Sequence, residues 1–177
     1  MTSNKQNTTS PSPSKDHHMA IPDMQLRKSS LQDLELFFTF QLDERARNMA
    51  AFTSKDTTNK QGYLNKYGPF LNDPTINMQT IVVDTKIVGS ISKFEIEGEA
   101  ELTYWIDNNH WGRGIAKEAL RQFLLLEKMR PIYGRTAFDN IASQKVLLHN
   151  GFIQTGMDKG FANARNMEID EYIFKLV

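Results

Sequence analysis

Apolar residues recur along this chain with two different periods, and the switches between those periods outline its elements. Residues 24–27 read as a short strand. Ser29 or Ser30 then caps a helix whose Leu31, Leu34, Phe37 and Phe38 fall at helical spacings of three and four. A second helix is expected over 60–70, with Tyr63, Leu64 and Tyr67 on one side and Gly68-Pro69 ending it. Three β-rich runs follow, at 78–83, 87–96 and 101–106. Asp84-Thr85-Lys86 and Glu97-Gly98-Glu99 join them as hairpin turns, which makes an antiparallel meander. Helical spacing returns with Ala116, Ala119, Leu120, Phe123 and Leu124, running to about Lys128. A strand over 132–138 comes next, then a helix over 141–149 with Asn140 as N-cap and Gly151 as C-terminal stop. Strands at 152–155 and 167–176 close the chain.

This order predicts an α+β fold: one mixed, mostly antiparallel sheet with helices on both faces, no internal repeat and no second domain. The polar residues 1–20, rich in Ser, Thr, Pro and Asn, carry too little apolar surface to offset ordering and are expected to form a disordered tail ahead of a single domain over 21–177. His17 and His18 lie in that tail without partners for a coordination sphere, so no metal site is expected. With 21 Lys plus Arg against 21 Asp plus Glu, the formal net charge is zero, which argues against a dedicated nucleic-acid binder. Cysteine is absent, which removes disulfides, thiolate nucleophiles and Cys-ligated metals, so any sulfur chemistry comes from a ligand. The N-terminal stretch has no apolar run of secretory length and no segment is long enough to span a bilayer, so a cytoplasmic protein without membrane contact is expected.

The most informative stretch is 101–120, where a strand runs through a glycine-bearing turn straight into an amphipathic helix. Gly112 and Gly114 let backbone approach a ligand, and the unpaired N–H groups of the following first turn favour an anion, a diphosphate above all. The dinucleotide fingerprint needs Gly or Ala where this chain has Lys117, and the P-loop needs Gly-Lys-Ser/Thr, so neither motif fits.

These residues resemble the GNAT superfamily of acetyl-CoA-dependent N-acetyltransferases, particularly its branch of ribosomal-protein alanine acetyltransferases. Trp111-Gly112-Arg113-Gly114-Ile115-Ala116 is similar to the family's pyrophosphate loop, with Trp in place of the leading Gln or Arg. Asn140, Ser143, Val146, Leu147, Gly151 and Phe152 match a second motif, and the two together span about 81–152. The resemblance implies that the amides of 112–116 hold the CoA pyrophosphate. It also implies that the strand end at Trp105 and Ile106 pairs with pantetheine and presents an N–H to the thioester oxygen, and that Asn140 and Ser143 reach the cofactor from a splay between the fourth and fifth strands. Acetyl-CoA is the implied acetyl donor, and the acceptor is an amine, either a small molecule or a protein N-terminus. The oligomeric state, a homodimer included, is left open.

The implied chemistry is direct attack of the amine on the thioester, with a base taking the amine's proton. Glu101 is the first candidate for that base, since it lies on the central strand and shares a face with Thr103 and Trp105. Tyr104 and His110 are weaker candidates. Many members place a tyrosine seven residues after the motif Asn to protonate the thiolate, but this chain has Leu147 there. Asp43, Glu44, Arg45 and Arg47, together with a loop over 159–165, are expected to contribute to the acceptor pocket. Two other readings stand beside acetyl transfer: a non-catalytic acyl-CoA-binding module, suggested by Leu147, and, more weakly, a nucleotide-binding enzyme. Val in place of Gly114 is expected to obstruct the pyrophosphate while leaving the thermal transition nearly intact.

Overall fold

A computed structural model describes residues 23–177, and the tail expected over 1–20 lies outside them. The elements are β1 (Met24–Lys28), α1 (Leu31–Gln41), α2 (Glu44–Ala50), α3 (Lys60–Tyr67), β2 (Asn77–Val83), β3 (Lys86–Ile96), β4 (Glu99–Ile106), α4 (Ile115–Leu126), β5 (Ile132–Ala137), α5 (Ile141–His149), β6 (Ile153–Ala162) and β7 (Met167–Leu176). Seven strands make one sheet in the order β1-β2-β3-β4-β5-β7-β6. Every pairing is antiparallel except β4 with β5. This is the α+β sheet the sequence predicts.

The larger core lies on the face covered by α4 and α5. Ile81, Val88, Ile91, Leu102 and Ile132 of the sheet pack there on Leu120, Phe123 and Leu147, all nearly without solvent contact. α4 buries one apolar stripe of Ile115, Ala119, Leu120 and Phe123, and burying whole Leu and Phe side chains is worth about 1.5–3 kcal/mol each. On the opposite face Leu34, Phe37 and Phe38 of α1 are buried, and Tyr63 stacks between Phe38 and Tyr67 at ring separations of 5.5 and 4.5 Å, tying α3 to α1. A second small cluster, Ala51, Ala137, Ala162 and Ile169, joins the segment after α2 to β5, β6 and β7.

Two elements differ from expectation. α2 carries a single buried residue, Ala46, so it has no apolar periodicity to betray it. β6 continues to Ala162 instead of ending near 155, because the neighbours Asp158 and Lys159 put a charge on each face of the strand and hide the alternation.

Ser30 is the N-cap of α1, and its N–H donates to Asp33 Oδ2 at 2.8 Å. Asp33, 3% exposed, also accepts from Arg27 at 2.6 and 2.8 Å and from the Thr80 hydroxyl at 2.9 Å. Burial by itself would raise this carboxyl, but the Arg27, Ser30 and Thr80 hydrogen bonds outweigh it and hold the pKa at about 2. A carboxylate whose folded pKa lies below its unfolded value of about 3.9 stabilises the fold above that pH and loses the contribution as pH falls through the folded value. Asp33→Asn is expected to cost about 2 kcal/mol at neutral pH and to flatten the loss of stability between about pH 4 and pH 2. Urea unfolding of both proteins across that range checks it.

Candidate active site

β4 and β5 pair in parallel only from Ala100↔Ile132 to Leu102↔Gly134. Beyond those residues the strands part, while β4 runs on to Ile106 and β5 to Ala137. The edge of Thr103–Ile106 that would face β5 therefore has no strand partner. A cavity of about 930 Å³ passes through this opening and reaches both faces of the sheet.

On the α4 and α5 face the cavity meets the glycine turn. Gly112 and Gly114 have φ of 73° and 75°, in the left-handed region that only glycine enters without strain. Gly114 is the N-cap of α4 and supplies no side chain, so the first-turn N–H groups carry no side-chain cap and point at the cavity end. Trp111 donates its indole N–H to the Ile106 carbonyl at 2.9 Å, locking the turn to the strand end, and the Arg45 guanidinium stands 5.5 Å from its ring centre. The Tyr104 hydroxyl and Ser143 Oγ lie 2.6 Å apart across the opening. Burial pushes the Tyr104 phenol up to about 12, against the opposing Ser143 hydrogen bond, so it stays a neutral donor. Asn140 caps α5 by accepting from Ser143 N–H at 3.1 Å and donates to the Met49 carbonyl at 3.3 Å, which joins α5 to α2.

On the opposite face period-two alternation places Glu101, Thr103 and Trp105 together. Glu101 is 5% exposed and accepts from Arg135 Nε at 3.1 Å, while Arg135 Nη1 donates to Glu171 at 3.4 Å. Two buried polar atoms on the cavity wall, Trp105 Nε1 and Thr136 Oγ1, have no hydrogen-bond partner among the described residues. A wall that leaves donors unpaired is built for a polar guest.

The acetyltransferase (GNAT) domain matches residues 23–153 of this sequence. The chain belongs to that family. It is similar to the uncharacterized N-acetyltransferase p20 of Bacillus licheniformis, 24% identical over 164 residues that cover 86% of this chain and 91% of the relative. It is 34% identical to the ribosomal-protein-serine acetyltransferase of Escherichia coli (strain K12) over 86 residues, 45% of this chain and 48% of that protein. Its fold superposes on the microcin C7 self immunity acetyltransferase MccE, solved in complex with acetyl-CoA and AMP, with a TM-score of 0.71 at 19% identity, covering 87% of this chain and 92% of the other.

In this GNAT acetyltransferase the residues expected at the site are brought to one cavity: Glu101, Tyr104, Trp105, Ile106, Trp111, Gly112, Gly114, Ile115, Ala116, Asn140 and Ser143 all line it. Arg113 does not, and its guanidinium turns outward to the Asn109 carbonyl. His110 pairs with Asp107 at 3.0 Å within the turn that follows β4.

The expected acceptor charges are corrected. Asp43 caps α2, Arg47 donates to the Leu42 carbonyl, Arg45 covers Trp111, and none of Asp43, Glu44, Arg45 or Arg47 lines the cavity. That helix contributes Ala46, Met49 and Ala50 instead. The expected loop over 159–165 is largely strand and stays off the cavity wall, while Glu171 and Arg135, which carry no local motif, stand on it. The expectation for Gly114→Val is corrected as well, because a β-branched residue at φ 75° strains the backbone and lowers fold stability along with binding. Leu147 is fully buried against Gly134, so that position is core and offers no proton.

Proposed function

We propose that the protein transfers the acetyl group of acetyl-CoA to a primary amine by direct attack. The observation that carries this reading is the parting of β4 from β5 beside the uncapped N-terminus of α4. It joins an anion-binding turn, an open strand edge and a buried carboxylate in one channel. The amides of 112–116 would hold the pyrophosphate, and the free edge of Trp105 and Ile106 would pair with the pantetheine amides, with Asn140 and Ser143 on its other side. The orphaned Thr136 hydroxyl and the unpaired strand edge fit such a guest. Bound acetyl-CoA supplies an activated acetyl thioester and a thiol leaving group.

The protein's part is to deprotonate and to polarise. An alkyl ammonium has a pKa of about 10.4, so at neutral pH the acceptor enters charged and must lose a proton before its nitrogen can attack. Glu101 takes that proton, with Arg135 fixing its carboxylate. N–H groups of the β4 edge donate to the carbonyl oxygen as negative charge grows there. As the C–N bond forms and the C–S bond breaks, the nitrogen's second proton passes to the departing thiolate, which Ser143, itself hydrogen-bonded to Tyr104, steadies by donating a hydrogen bond to the sulfur.

Calorimetry with acetyl-CoA, with ATP and NADH as controls, is expected to show selective acetyl-CoA binding. In the same preparation, thiol release is expected to depend on an added amine, and the absence of cysteine removes protein background from that signal. Binding without release for any amine would instead mark an acyl-CoA-binding module. A folded protein that binds none of the three ligands would sink the reading.

A further inference from the structure

The acceptor side of the channel has a particular charge and shape. Glu101, Arg135 and Glu171 stand side by side on β4, β5 and β7, so two carboxylates share one guanidinium and one negative charge is left over. Glu171 is partly buried at 19% side-chain exposure, and burial raises its carboxyl above the usual range against the pull of Arg135, with Glu101 and Asp158 adding to the rise. The surrounding wall is aromatic: Phe37, Phe40, Phe52, Tyr63, Tyr67 and Phe94. The other full charges close to this side include Asp158, cross-strand from Glu171 on β6, and Lys66, whose ammonium leans over the Tyr67 ring at 5.1 Å; counted with Glu101, Glu171 and Arg135 they leave one negative charge. The wall from α2 to Ser54 is pinned from outside by the β6–β7 hairpin, through Ala164 N–H to the Ala51 carbonyl at 3.2 Å, Asn163 to the Thr53 carbonyl at 2.7 Å and Arg165 to the Asn48 carbonyl at 2.9 Å.

Resting on the acetyltransferase reading, we propose that the acceptor is a small primary amine with one positive charge on an aromatic or aliphatic body, its ammonium received by the Glu171 carboxylate beside Arg135. One uncompensated carboxylate matches one ammonium. The rings add cation–π attraction to that ammonium and apolar surface to the body behind it. A polyamine or an aminoglycoside would bring further ammonium groups against a wall whose remaining polar side chains, Gln41, Ser90 and Ser92 among them, carry no charge to pair with them. Glu171 thus determines specificity, receiving the acceptor before Glu101 removes its proton.

The test uses the full chain. Calorimetry first establishes acetyl-CoA binding, which does not involve the acceptor. Thiol release is then compared for 2-phenylethylamine, spermidine, kanamycin and an alanine-initiated hexapeptide. The expected result is a kcat/KM for 2-phenylethylamine at least about tenfold above the other three. Glu171→Gln is expected to raise its KM about tenfold while leaving the acetyl-CoA Kd within about twofold, and Glu171→Asp to recover part of the loss, which separates charge from folding. If acetyl-CoA binds but spermidine, kanamycin or the peptide is preferred, if 2-phenylethylamine is not turned over, or if Glu171→Gln leaves KM unchanged, the acceptor class is overturned and the acetyl-CoA site stands. If the folded protein does not bind acetyl-CoA, both fall.

Discussion

Glu101→Gln is expected to lower kcat/KM for an amine acceptor by roughly 100-fold at neutral pH and to leave acetyl-CoA affinity within about twofold of the parent protein. The substitution keeps the shape of the side chain and one acceptor oxygen for Arg135, which also retains Glu171, so the fold has no new unpaired charge to bury. What it removes is the proposed proton acceptor, a carboxylate 5% exposed on the cavity wall. Without it, the rate should follow the fraction of acceptor already neutral in solution, climbing about tenfold per pH unit below the amine's own pKa of about 10. The pH profile of kcat/KM is therefore the decisive measurement. A variant with the parent's profile and rate would mean that the proton leaves by another route and that Glu101 only braces Arg135.

Gly89→Ala is expected to be the most damaging single methyl in the sheet. Gly89 pairs with Ile106 at the end of β4, and a Cβ there would fall far inside contact with the Trp105 carbonyl oxygen, with Ile106 Cα at 3.2 Å. Those are backbone atoms held between two strands, so relief requires β3 and β4 to separate. A cost of about 3 kcal/mol or more follows, which for a domain of this size lowers Tm by roughly 6–12 °C. The same shift moves the Trp105–Ile106 edge, so acetyl-CoA affinity should fall in whatever fraction remains folded. Thermal melts of the two proteins, with and without acetyl-CoA, check both parts; an unchanged Tm would show that the strands have slack at this pair.

Much of the site was legible because its signals are local. A glycine turn between a strand and an amphipathic helix, and an Asn that caps the next helix, are statements about residues within a few positions of each other, and both appear as read, with Gly112, Gly114 and Asn140 in the expected backbone roles. Alternation along β4 likewise fixed which side chains share a face, so Glu101, Thr103 and Trp105 could be grouped before any coordinates. Elements whose apolar signal is weak were missed or cut short. α2 buries one residue, and β6 shows an almost wholly exposed face.

The acceptor side was misread for a related reason. Charges near α2 looked available along the chain, but Asp43 and Arg47 are occupied by backbone N–H and carbonyl groups at the helix ends, a use that sequence does not distinguish from ligand binding. The sequence by itself determined the glycine turn ahead of α4, the meander and the face on which Glu101 stands, since each depends on backbone periods of two or about 3.6 residues and on glycine's freedom at positive φ. Only the tertiary structure decided that β5 lies parallel beside β4 for three residue pairs and then leaves it, and that β7 comes next in the sheet, bringing Glu171 to Arg135 and Arg135 to Glu101. A period fixes the face a side chain takes. Which strand lies alongside is set by burial of the whole sheet between its helices, through contacts between residues far apart in the chain.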